Sequence, residues 1–101
     1  MTASRILDDL TLTVAVGRPL AFGLQALPGA GYLWVCTQLP AGVALADGPV
    51  QPLGPGIGGP VSQGFVLRAS QPGRHTLDFD FKRSWETEVR ARQRVVLTVT
   101  A

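Results

Sequence analysis

Leu77-Asp78-Phe79-Asp80-Phe81-Lys82 alternates apolar and charged side chains without a break. A period of two puts Leu77, Phe79 and Phe81 on one face of a strand and Asp78, Asp80 and Lys82 on the other. The same period governs the stretch that follows. From Val89 to Thr100, Ala91, Val95, Leu97 and Val99 point inward while Arg90, Arg92 and Arg94 point away. Upstream, Leu10, Leu12, Val14 and Val16 alternate, and so do Leu20, Phe22, Leu24 and Ala26. Further strands are expected at residues 32–38, 43–46 and 61–70. Twelve glycines and eight prolines in 101 residues leave no room for a helix of more than two or three turns. Seven strands, with turn signals every 8 to 12 residues, predict a single all-β domain: an immunoglobulin-like antiparallel β-sandwich spanning residues 1–101.

Composition excludes several functions. A hydrophobic fraction of 46% supports a packed core. The net charge is only +2, and the C-terminal arginines are interleaved with Asp78, Asp80, Glu86 and Glu88, so no nucleic-acid footprint is expected. One cysteine, Cys36, excludes an internal disulfide, and with the lone His75 it cannot fill a zinc site. A Cys–His catalytic pair is disfavoured because Cys36 falls within a strand beside Trp34, so neither enzyme nor cofactor is expected. No apolar run approaches a membrane span, and Asp8 and Asp9 stand where a signal peptide would be apolar. A soluble monomer is the expectation, with the compartment left open.

If successive strands run antiparallel, three connections gather at one end: residues 27–31, 47–60 and 83–88. Pro28-Gly29-Ala30-Gly31-Tyr32-Leu33-Trp34 is a glycine turn feeding two aromatics, both read first as core. Gly54-Pro55-Gly56-Ile57-Gly58-Gly59 spells G-x-G-x-x-G, but Pro60 and a following strand deny it the helix that a dinucleotide site requires. It reads as a side-chain-poor loop that lets another backbone approach. In Arg83-Ser84-Trp85-Glu86 an indole lies outside the apolar alternation, as a contact residue would. The Arg90/Arg92/Arg94 face reads as a solvated or edge-protecting surface.

These three loops, in this order, resemble the chagasin family of cysteine-peptidase inhibitors. The family's first loop reads Asn-Pro-Thr-Thr-Gly-aromatic-x-Trp; residues 27–34 keep Pro28, Gly31, Tyr32 and Trp34 but lack Asn and both Thr. The second loop keeps Gly56, Ile57, Gly58 and Gly59. The third keeps Arg83, Trp85 and Glu86, with Ser84 in place of Pro. The resemblance implies a reversible inhibitor of papain-like cysteine peptidases whose rim occludes the cleft. Its contacts would be Pro28, Gly29, Ala30, Gly31 and Tyr32, then Gly56, Ile57, Gly58 and Gly59, then Arg83, Trp85 and Glu86. Gly29-Ala30-Gly31 would enter the cleft, Gly56 to Gly59 would lie along a wall, and Trp85 would rest on the primed side with Arg83 reaching acidic groups nearby. Restoring threonine at positions 29 and 30 is expected to strengthen binding, unless Gly29 sits at positive φ. The alternative is a sandwich module that binds another protein or a glycan without inhibiting a peptidase.

Overall fold

The computed structural model describes residues 4–55 and 58–101, which form two packed β-sheets. One sheet is ordered β1 (Arg5–Ile6), β9 (Ala91–Thr100), β8 (Gly73–Arg83), β4 (Tyr32–Gln38), with β2 (Leu10–Ala15) also on β9. The other is ordered β3 (Leu20–Ala26), β7 (Val61–Ala69), β5 (Val43–Asp47), with β6 (Gln51–Pro52) also on β7. The seven expected strands are all present. Among the described residues no helix is long and apolar enough to cross a membrane.

Two features depart from the sequence reading. β1 and β2 run parallel to β9, with Leu10 opposite Val95 and Ala15 opposite Thr100. A chain that leaves β2 for the opposite sheet leaves this edge to pair with its own C-terminus, so the sandwich is not wholly antiparallel. The second departure shortens the second loop. β5 and β6 both pair antiparallel with β7, and Leu53 N–H donates to the Pro60 carbonyl at 3.0 Å. The first part of the expected 14-residue loop, up to Pro52, therefore continues β5 as an interrupted strand. With β5 and β6 counted as one strand, directions still alternate from β2 onward: β8 is antiparallel to both β4 and β9, β7 to both β3 and β5, and Leu27 pairs antiparallel with Tyr32 between β3 and β4.

The β8 alternation places Leu77, Phe79 and Phe81 in the core, with Val95 and Leu97 beside them and Phe65 and Leu67 from the second sheet. Each such burial contributes roughly 1.5–3 kcal/mol. Aromatic rings then carry the core toward one end. Phe65 meets Phe22 at 5.4 Å and Phe79 at 5.1 Å between centroids; Phe81 meets Trp34 at 4.8 Å and Tyr32 at 5.3 Å. On the outer face Arg92 and Arg94 pair across strands with Asp80 at 3.6 Å and Asp78 at 3.0 Å. Such exposed pairs, screened by solvent, contribute little to stability.

Two glutamines occupy inward positions of otherwise apolar strands. Gln93 is buried, and its amide donates to the carbonyls of Asp8 and Arg94. Gln63, from β7, reaches Trp34 in the opposite sheet. Its Oε1 accepts from Trp34 N–H at 2.8 Å, and its Nε2 donates to the Trp34 carbonyl at 3.0 Å. The indole Nε1 donates to the Gln25 carbonyl at 2.8 Å. Trp34, at 5% exposure, is thus held by its ring and its backbone. Trp34→Ala should lower unfolding free energy by ~3–5 kcal/mol through the cavity it leaves. Gln63→Ala should cost about 1–3 kcal/mol, since it strands two half-buried backbone groups. Urea denaturation of both variants checks these values.

Candidate functional site

At the end reached by the aromatic rings, β3 hands over to β4 through a single 3-10 turn, Pro28–Ala30. Proline suits the start of such a turn because its fixed φ is helical and its missing N–H costs nothing there. The turn is closed by Ala30 N–H on Leu27 O (3.1 Å) and Gly31 N–H on Pro28 O (2.9 Å). Gly31 follows at φ +85°, a left-handed conformation that reverses the chain into Tyr32. Leu27 and Tyr32 exchange two backbone hydrogen bonds across the base, so the tip stands on a closed ring.

Each tip glycine faces a different neighbour. A Cβ on Gly29 would lie 2.8 Å from the Gly58 carbonyl oxygen and 3.1 Å from its Cα. A Cβ on Gly31 would overlap the Trp85 indole. The first loop therefore touches the second on one side and the third on the other. Gly29 does not share the positive φ of Gly31. Space, not φ, opposes the expected gain from threonine there: backbone occupies the position a side chain would need. Ala30 is exposed and carries no such restriction.

The third loop is tied back by Arg83, at the end of β8. Its Nε donates to the Ala30 carbonyl at 2.8 Å, and its Nη1 donates to Glu86 Oε1 at 3.0 Å. Its guanidinium lies 4.4 Å from the Tyr32 ring centroid and 5.9 Å from that of Trp85. Hydrogen bonding to Glu86 raises the Arg83 pKa above its ordinary value. Arg90 flanks Tyr32 as well, 5.1 Å from the ring centroid, and donates to the phenol oxygen at 3.3 Å. The sequence places Arg90 on an outward face with Arg92 and Arg94, and its position as the first of the three gives no sign of an aromatic partner.

Of the expected contact residues, Pro28, Gly29, Ala30, Gly58 and Trp85 are exposed, and Trp85 retains 71% of its surface. Gly31, Tyr32, Gly59, Arg83 and Glu86 are half-buried. Gly56 and Ile57 lie outside the described residues. Trp34 belongs to the core and Tyr32 straddles core and rim. Arg83 directs Nε and Nη1 inside the molecule, to Ala30 and Glu86.

Among the described residues nothing resembles a nucleophilic site. Cys36 stands opposite Phe79, while His75 is four residues along the same strand, roughly 13 Å at strand rise, and its ring sits on the Gln71 carbonyl. Burial pushes the Cys36 thiol pKa up, the reverse of an activated thiolate.

Comparison with known proteins bears on the family and the fold. The chagasin family peptidase inhibitor model matches residues 13–99. No curated protein matches the sequence. Among solved structures, the cysteine protease inhibitor EhICP2 of Entamoeba histolytica is similar at TM-score 0.72 and 21% identity, over 98% of this chain and 97% of that one. Amebosin is similar at TM-score 0.65 and 22% identity, over 97% and 99%. PbICP-C, solved in complex with falcipain-2, is similar at TM-score 0.63 and 19% identity, over 98% and 91%. At these identities the likenesses speak for the fold, and the family match covers nearly the whole sandwich, rim included. The chain belongs to the chagasin family of peptidase inhibitors, whose members are inhibitors and not enzymes.

Proposed function

We propose that this protein is a reversible inhibitor of papain-like cysteine peptidases, acting through the rim built by the 27–31, 54–59 and 84–90 connections. The observation that carries the reading is the contact of the first loop with both of the others. A side-chain-poor tip, stiffened from both sides, has the shape needed to enter a narrow cleft. The solved relatives point the same way: one is a cysteine protease inhibitor, and another is seen bound to falcipain-2.

The mechanism follows from the tip. A papain-like cleft places its Cys–His pair at the floor. Gly29-Ala30-Gly31 is slim enough to reach that floor. The Ala30 and Gly31 N–H groups close the 3-10 turn and the Ala30 carbonyl accepts from Arg83, so the tip is held away from the extended form a peptidase cleaves. Gly58 and Gly59 would offer backbone groups to one wall. Trp85 would lay its exposed indole on the other side of the cleft. Because Arg83, Tyr32 and Glu86 already hold the loops, little freedom remains to be lost on docking.

Titration of papain activity with the protein tests the reading. Inhibition that is fully recovered on dilution, with the chain uncleaved, is the expected result. A stable acyl-enzyme, or no inhibition of several papain-like peptidases at micromolar protein, overturns it. Trp85→Ala should weaken binding by about 2 kcal/mol or more, as loss of a rim anchor does, and leave the melting temperature nearly unchanged. Arg83→Lys keeps the charge but not the planar fork, and should weaken binding by roughly 1–2 kcal/mol as the tie to Ala30 or Glu86 is lost. Inhibition constants paired with thermal melts check both.

A further inference from the structure

Gly29, where the family's first loop as described above carries threonine, lies close against Gly58 of the second loop. We infer that Gly29 is a positioning residue that lets the second loop seat on the first, so that the two loops meet a peptidase as one unit; this rests on the inhibitory reading above. Three observations carry it. The atom that a Cβ at position 29 would strike is a backbone oxygen 2.8 Å away, with Gly58 Cα at 3.1 Å and its carbonyl carbon at 3.3 Å. A peptide group cannot rotate aside as the end of a long side chain can. Gly58 stands at φ +81°, so the contacting peptide is itself in a conformation that favours glycine. The first loop cannot yield in the opposite direction, because Gly31 abuts Trp85 and the Ala30 carbonyl is held by Arg83.

The consequence separates two neighbouring positions. A side chain at position 29 displaces the second loop, whereas one at position 30 only enlarges the tip. Position 29 therefore acts on affinity through a loop 29 residues further along the chain.

The test compares Gly29→Ala, Gly29→Thr and Ala30→Thr with the unaltered chain. The first readout needs no peptidase: backbone amide resonances of Gly58 and Gly59 in the free, labelled protein. Both position-29 variants should shift these resonances, Thr at least as far as Ala, while Ala30→Thr leaves them in place. The second readout is the kinetics of papain binding. Gly29→Ala should accelerate dissociation about tenfold with association changed less than threefold, as expected when a preformed contact surface is misplaced. Melting temperatures should stay within a few degrees of the parent, because the contact lies outside the core. Unmoved Gly58 resonances in Gly29→Ala, or resonances moved equally by Ala30→Thr, overturn the inference. So does collapse of the fold on Gly29→Ala, which would make position 29 a requirement of the sandwich. Papain left uninhibited by the unaltered chain overturns the inhibitor reading alone, since the resonance comparison is made without papain.

Discussion

The rim depends on one guanidinium. Arg83 sits where β8 ends, and its donors diverge to a carbonyl of the first loop and a carboxylate of its own loop while its plane lies near Tyr32. Charge-assisted bonds of this kind are stronger than neutral ones, and arginine alone offers a rigid planar fork to make two at once. The residue is also the outermost member of the β8 alternation. Leu77, Phe79 and Phe81 fix the strand from within, and Phe81 stacks on the tyrosine that Arg83 covers. Core packing thereby dictates where the cation stands, and the cation dictates where the loops stand.

The strands were legible because alternation is a local signal. Leu77 to Lys82, Leu10 to Val16 and Leu20 to Ala26 each announce two faces without reference to a partner. What stayed hidden depends on distant partners. Pro49 and Gly48 read as loop residues, yet Gly48 N–H bonds the Gly64 carbonyl and carries the strand through to Gln51 and Pro52. No pattern within residues 47–60 announces that pairing. The parallel pairing of β2 was concealed in the same way, because the opposing strand is the C-terminal one. Gln63 and Gln93 left a trace, since each breaks an apolar series at inward parity. A polar residue there must find backbone partners, and both do.

At the candidate site, the gathering of the three connections followed from counting reversals of direction, and alternation marked Trp85 as an outsider. The reason for two tip glycines was not legible. Gly29 and Gly31 are identical in sequence, but one makes room for a backbone and the other for an indole. The family's first loop, as the resemblance describes it, carries threonines where this chain has Gly29 and Ala30. Here stiffness comes from the neighbours, and the glycines are what admit them. A loop that looks looser in sequence is braced in the folded chain.

The hold of Gln63 on Trp34 has a further consequence. β4 is the last strand of its sheet, with Leu33 and Val35 exposed beside Trp34. A terminal strand with apolar side chains and open peptide groups is a template on which another chain can add and a fibre can start. On β4 the outward N–H and C=O of Trp34 are already engaged by a side-chain amide, which mimics the pairing of a neighbouring strand while being too short to propagate it. The Leu27 backbone does the same for Tyr32. Any chain seeking to lengthen the sheet must first expel a glutamine that belongs to the opposite layer. The inhibitor thus carries, in one amide, a stopper against its own polymerisation.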